Sequence, residues 1–284
     1  MISFKKISDI KHYLASLGLP RQQIGFVPTM GALHEGHIAL IRKARSDNKL
    51  VVCSIFVNPT QFNEPSDYEH YPKTLQEDTS KLIDAGCDLL FAPSVAEMYP
   101  DGTHNMEQYD FGYLENILEG KFRPGHFNGV GQVVNRLLNI VEPGKLYLGQ
   151  KDYQQCMVIQ KLLSLTGKDK DIKVIIVPTV READGLALSS RNIRLTTPQR
   201  VTASLLYQCL VSIEAKQKVD SFEKVRKECE DLLLSKNIEP EYIALADAET
   251  LMPLEEYDHA KKMVVLIAAR TGNVRLIDNL LLHS

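Results

Sequence analysis

Val27-Pro28-Thr29-Met30-Gly31-Ala32-Leu33-His34-Glu35-Gly36-His37 carries the strongest structural signal in the chain. An apolar run closes at Pro28, a glycine and a small residue follow, and two histidines then stand three apart. Ile38, Leu40, Ile41 and Ala44 come next at helical spacing, with Arg42, Lys43 and Arg45 on the wet side. The pattern reads as strand, tight turn, helix. Such a turn is expected to aim free backbone N–H groups and the positive end of a helix dipole at whatever lies above it. His34 and His37 share a face there, and a phosphate chain is the expected guest. Gly36 between them costs the helix roughly 1 kcal/mol against alanine, which is tolerated where backbone must approach a ligand closely. Zinc does not fit the spacing. A helical zinc pair needs His-Glu-x-x-His, and here the second histidine comes one residue early.

Outward from this stretch the same grammar repeats. Residues 5–17 read as a short amphipathic helix and 24–27 as the first strand, with the first major helix over 34–45. Residues 50–57 are a continuous apolar run, the mark of a strand buried on both faces of a parallel sheet. Asn58-Pro59-Thr60-Gln61 leaves its C-terminal end. A helix over 74–85 is expected to open on a capping box of Thr74 and Glu77, and a strand over 88–92 follows. Strand–helix–strand repetition implies an α/β parallel sheet, a Rossmann-like layer flanked by helices. Ligands in such sheets sit at the C-terminal strand ends, so the opening turn and the 58–61 loop should face one cleft.

Residues 100–126 are loop-rich, and Gly120-Lys121-Phe122-Arg123-Pro124-Gly125-His126-Phe127 reads either as a solvated surface loop or as a mobile cationic lid. Gly129-Val130-Gly131 is not a dinucleotide fingerprint, because position 134 is Val; a helix over 130–140 with Val133, Val134, Leu137 and Leu138 as its apolar face is expected. Gly149-Gln150-Lys151-Asp152 ends another strand. There Gly149 permits close backbone approach, Lys151 offers a point charge for phosphate, and Asp152 offers a hard oxygen for Mg²⁺. Residues 172–178 read as a further buried strand. Ser189, Ser190 and Arg191 then supply two hydroxyls and a forked cation suited to polyphosphate. Beyond 197 the texture changes to two capped helices and late strands without glycine-rich turns. The expected organisation is a Rossmann-like nucleotide- and substrate-binding domain over 1–177 and a smaller α+β domain over 178–284.

The chain has 284 residues and a formal net charge of −3, so no broad basic field favours nucleic acid. No apolar stretch reaches bilayer length, and the mixed N-terminus is no signal peptide. The 5 cysteines are scattered, never in Cys-x-x-Cys, and read as reduced, mostly buried thiols of a cytoplasmic protein. Neither a Walker A sequence nor a nucleophile elbow is present. The remaining constellation suggests ATP chemistry.

His34-Glu35-Gly36-His37 resembles the signature of the HIGH-type nucleotidyltransferases. The longer run from Pro28, together with Phe56–Phe62, Arg123–Phe127, Gly149–Gln155 and Leu186–Asn192, is similar to the pantothenate synthetase family over nearly the whole length. The resemblance implies ATP-dependent condensation of (R)-pantoate with β-alanine, giving pantothenate, AMP and pyrophosphate. It also implies a pantoyl-adenylate intermediate, Mg²⁺ and a homodimer. On that basis His37, His34 and Lys151 are the expected catalytic residues, and His37 the expected proton donor or charge stabiliser. The ATP site is expected to comprise Met30, Gly31, Ala32, Leu33, His34, Glu35, Gly36 and His37, with Gly149, Gln150, Lys151 and Asp152. Ser189, Ser190 and Arg191 complete it, and backbone at Met30, Val180 and Leu188 borders the adenine. Gln61 and Gln155 are neutral amides expected to hold pantoate without quenching its carboxylate, with Gln61 also touching β-alanine. A plain nucleotidyltransferase and a non-catalytic nucleotide binder are the alternatives.

Overall fold

The apolar runs of the N-terminal half pair into a single parallel sheet. A computed structural model describes residues 1–62, 68–103 and 106–283. The elements run β1 (Ile2–Phe4), α1 (Ile7–Ser16), β2 (Ile24–Thr29), α2 (Glu35–Asp47), β3 (Leu50–Ile55), α3 (Leu75–Asp84) and β4 (Leu89–Phe91). Next come α4 (Val95–Met98), α5 (Leu118–Phe122), α6 (His126–Val141), β5 (Lys145–Gly149), α7 (Tyr153–Leu165) and β6 (Lys173–Val177). The sheet order is β1-β4-β3-β2-β5-β6, and every pairing is parallel. The chain builds outward from β2 to β4, then returns to the other side of β2 with β5. The C-terminal ends of β2 and β5 therefore flank the topological switch point, where a crevice opens in sheets of this kind.

Sequence and structure agree on the centre of the sheet and differ at its rim. Residues 50–54 of β3 are buried, as a two-sided strand requires. Ile38, Leu40, Ile41 and Ala44 of α2 are buried against Val27, Val51, Cys53 and Leu90. Each large side chain of that face contributes roughly 1.5–3 kcal/mol. β6, expected to be buried, is an edge strand whose Lys173 is exposed and whose other residues are half-buried. β1 has no counterpart in the sequence reading, being too short to carry a pattern. Thr74 caps no backbone group; its hydroxyl donates to Asp78 Oδ2 at 3.1 Å, so the expected capping box with Glu77 is absent.

The segment expected to be a loop or lid is largely helical. α5 spans Leu118–Phe122, and α6 starts at His126, which is buried. His104 and Asn105 of the loop-rich stretch lie outside the described residues. Gly129 and Gly131 are packing glycines on α6. A Cβ at Gly129 would lie 2.4 Å from the Thr60 carbonyl oxygen, and one at Gly131 would lie 2.8 Å from the Phe111 ring.

The chain divides into two compact units: Met1–Gly149 with Val158–Val177, and Gln150–Met157 with Pro178–Ser284. Residues 150–157, placed by the sequence in the first domain, group with the second unit. Asn279 donates to the carbonyls of Gln150 and Lys151, and Tyr153 Oη donates to the Ala248 carbonyl at 2.6 Å. The second unit carries α8 (Thr197–Ala203), α9 (Leu205–Lys216), α10 (Phe222–Leu234), β7 (Glu239–Asp247), β8 (Pro253–Leu254), β9 (Met263–Thr271) and β10 (Val274–Leu282). Its sheet is antiparallel, ordered β10-β9-β7-β8, and Leu206, Leu210, Ile213 and Val225 pack on Ile243, Val265 and Ile267. α8 and α9 are separated at Ser204, and Thr196 caps α8 in a box with Gln199. All 5 cysteines are buried. Burial pushes the Cys87 thiol up to about 12, which leaves it unreactive. No described helix is long and apolar enough to cross a membrane.

Gly129→Ala tests the close approach of α6 to the 59–61 turn. Alanine gains up to about 1 kcal/mol of helix propensity, but the 2.4 Å collision is with backbone and is not relieved by a rotamer change. The expected outcome is a net loss of about 1–3 kcal/mol in urea unfolding; unchanged or raised stability would contradict the packing.

Candidate active site

The turn after β2 is held from below. Thr29 Oγ1 donates to the Ser54 carbonyl at 2.8 Å and accepts from Gly31 N at 3.3 Å. Gly31 has φ +86°, and a Cβ there would meet Asp78 Oδ2 and Ile55 Cγ2 at 3.1 Å each. Ala32 is also left-handed, at φ +50°. Asp78, 1% exposed on α3, accepts from Ala32 N at 2.9 Å and Leu33 N at 2.7 Å. Lys81 Nζ donates to the Leu33 carbonyl at 2.6 Å. The expected cradle of free backbone N–H groups is thus corrected: those of Gly31, Ala32 and Leu33 are engaged inside the protein, by Thr29 and by Asp78.

What the turn presents is imidazole. The His34 and His37 rings lie 4.1 Å apart between centroids, tilted by 43°. His34 is the N-cap of α2. Gly36 N donates to His34 Nδ1 at 3.2 Å, and His34 N donates to His37 Nδ1 at 3.3 Å. A backbone N–H can only donate, so both Nδ1 atoms act as acceptors. Each neutral ring therefore carries its N–H on Nε2, at the positive dipole end of α2. Glu35 points elsewhere, to Arg42 at 2.9 Å on the surface.

Gln61 stands beside this turn, as expected of one cleft. Its Nε2 lies 2.8 Å from Met30 Sδ, its Oε1 accepts from Asn58 Nδ2 at 3.3 Å, and its carbonyl lies 2.8 Å from His126 Nδ1. A carbonyl only accepts, so His126 carries its proton on Nδ1 and braces the 59–61 turn rather than forming part of a lid. Asn58, 1% exposed, also donates to the Gly129 carbonyl at 3.1 Å and accepts from Tyr99 Oη at 2.8 Å. Burial pushes the Tyr99 phenol up to about 12, so it remains a donor throughout the neutral range. Sequence reasoning names neither Asn58 nor Asp78 as shaping the site. For Asn58 a signal exists, since an Asn at the end of a strand before Pro59 favours an Asx turn. Asp78 lies 46 positions from Ala32, and no local pattern marks it.

The remaining residues lie in the second unit, Gly149 excepted, which ends β5 in the first. Gln150, Lys151 and Asp152 form one 3₁₀ turn, and Lys151 Nζ pairs with Asp152 Oδ1 at 3.2 Å. Gln155 is half-buried on the first turn of α7. Val180 and Leu188, both expected at the adenine, are brought together: Leu188 N donates to the Val180 carbonyl at 3.0 Å beside an Arg181–Ala187 bridge. Ser189 caps the 3₁₀ turn Ser190–Arg194, its Oγ accepting from Arg191 N at 3.3 Å, which leaves its O–H to donate.

Fold and turn together define a parallel α/β protein with a His-x-x-His turn at the switch point of its sheet. A family model for pantoate–β-alanine ligase matches residues 2–281. A pantothenate synthetase from Cytophaga hutchinsonii is 45% identical over 285 residues, covering 99% of each chain. The crystal structure of pantothenate synthetase from Thermus thermophilus superposes with a TM-score of 0.90 at 41% identity, covering 99% of each chain. That of pantoate–β-alanine ligase from Francisella tularensis, complexed with β-γ ATP and β-alanine, superposes at 0.82 and 41% identity, covering 99% of this chain and 97% of that one. The chain belongs to the pantoate–β-alanine ligase family.

Asp78→Ala should leave the half-buried Ala32 N–H and the buried Leu33 N–H without their acceptor, at about 1–3 kcal/mol for the buried one. Amide hydrogen exchange at Ala32 and Leu33 should accelerate in step. Protection equal to wild type would show that the carboxylate does not hold the turn.

Proposed function

We propose that this chain joins (R)-pantoate to β-alanine with cleavage of ATP, through an enzyme-bound pantoyl adenylate. The observation that carries this reading is the pair of Nε2–H imidazoles fixed at the sheet's switch point, in a chain that matches the ligase family over residues 2–281. The pantoate carboxylate attacks the α-phosphorus, and the bond to the bridging oxygen of pyrophosphate breaks. The β-alanine amine then attacks the acyl carbon of the mixed anhydride and AMP departs.

The charge that grows on the departing pyrophosphate needs donors already in place. His34 and His37 serve it through Nε2–H, with His37 the principal charge stabiliser. Lys151, Ser189, Ser190 and Arg191 are assigned to the same polyphosphate. Removing one such preorganised donor costs about 3–4 kcal/mol in the transition state. Gln61 and Gln155 take pantoate through neutral amides, which orient the carboxylate while leaving it nucleophilic. Gln61, held by Asn58, Met30 and His126, is the better braced of the two. Met30, Val180 and Leu188 border the adenine.

Magnesium fits this donor set in one way. Among the described residues no group of three or more His, Cys, Asp or Glu is set to hold a metal ion. Mg²⁺ is commonly carried by substrate phosphates with one or two carboxylates, and Asp152, 47% exposed at its side chain, supplies one. The ion, when bound, neutralises phosphate charge. The family resemblance also supports a homodimer and a cytoplasmic location, in keeping with scattered cysteines and no Cys-x-x-Cys.

Two assays test this. AMP release should require ATP, pantoate and β-alanine together, and release without the amine would favour a plain nucleotidyltransferase. His37→Ala should lower pantoate-dependent pyrophosphate exchange by at least about a hundredfold; near-normal exchange would remove its role.

A further inference from the structure

We propose that Asn279 is the positioning residue for Lys151, and so a determinant of the ligase reaction supplied from the last strand of the chain. The inference rests on the role given to Lys151 under the proposed function. Asn279 lies in β10 and is 1% exposed. Its amide nitrogen donates to the Gln150 carbonyl at 3.0 Å and to the Lys151 carbonyl at 2.8 Å. Its Oδ1 accepts from Gln150 Nε2 at 3.3 Å. Two carbonyl acceptors fix which end of the amide is nitrogen, and both of its hydrogens are used. Aspartate offers no hydrogen there, and serine or threonine offers a single one. Two successive carbonyls of the turn that carries Lys151 are therefore held by one side chain, 128 positions from Lys151.

Asn279 is itself held. Its N–H donates to Asp278 Oδ1 at 2.8 Å, and its carbonyl accepts from Arg181 Nη2 at 3.1 Å. Asp278, 4% exposed, takes Arg181 through both oxygens, at 2.5 and 2.9 Å. The Arg181 guanidinium lies 4.0 Å from the centre of the Tyr207 ring. Arg181 follows Val180 directly, so one buried network fixes both the residue assigned to the adenine border and the lysine assigned to phosphate. A buried, doubly satisfied network of this kind has one geometry. A shift of about 1 Å at a reacting group is enough to cost on the order of a hundredfold in rate.

The test is a double-mutant cycle on AMP release in the presence of ATP, pantoate and β-alanine. Asn279→Ala should lower kcat at least about tenfold in the wild-type background. In the Lys151→Ala background the same change should alter kcat by no more than about twofold, because the group it positions is gone. The fall in Tm caused by Asn279→Ala should be the same in both backgrounds, which separates positioning from general destabilisation. Asn279→Ser, which keeps one donor, should lie between wild type and Asn279→Ala and serves if the alanine variant does not fold. Equal fold-losses in the two backgrounds, or a wild-type kcat in Asn279→Ala, would overturn the role while leaving the ligase reading intact. A wild-type enzyme that releases no AMP under these conditions would overturn the reading and this role together.

Discussion

A single buried carboxylate determines the shape of the turn between β2 and α2. Ala32 sits in the left-handed region, which costs a residue with a Cβ about 1–2 kcal/mol. Asp78 offsets this with two charge-assisted bonds to successive backbone N–H groups, each stronger than a neutral pair. The sum favours the bent turn. The consequence is chemical: with those N–H groups pulled inward, what the turn holds in a defined orientation is the pair of imidazoles, each neutral ring carrying its proton on Nε2. The backbone N–H groups of Gly36 and His34 complete the arrangement by fixing the Nδ1 atoms as acceptors.

The neighbouring floor is built in the same way. Asn58 commits its side chain to Gln61, Gly129 and Tyr99, all within a space too tight for a Cβ at position 129. The glycines that resembled part of a dinucleotide fingerprint are there to let α6 approach the 59–61 turn. His126, read as part of a solvated loop or a cationic lid, is buried and braces the same turn. Side chains that look reactive in a sequence are here used to hold others still.

In the second unit the last strand has a comparable duty. β10 supplies Asp278 to Arg181 and Asn279 to the 150–151 backbone, so strands that look like plain core in the sequence carry the polar anchors of that unit. The separation of these partners along the chain explains why the 150–157 segment groups with residues after Pro178 rather than with the strand it follows.

The parallel α/β class, the strand–turn–helix at 24–47, the histidine pair and the family are all legible from the residues alone, because each is written in local periodicity, spacing or a contiguous motif. Gln61 and its meeting with the turn are legible too, since both leave C-terminal strand ends. The folded chain was needed to establish which backbone N–H groups of the turn are engaged inside the protein, that β6 lies at an edge, and that Asp78, Asn58 and Asn279 hold the turns at 31–33, 59–61 and 150–151. Those facts depend on partners 46, 71 or 128 positions apart. Hydrogen bonds between such distant residues leave no trace in local pattern, because a buried Asp or Asn looks in sequence like any solvated one until folding removes the water around it.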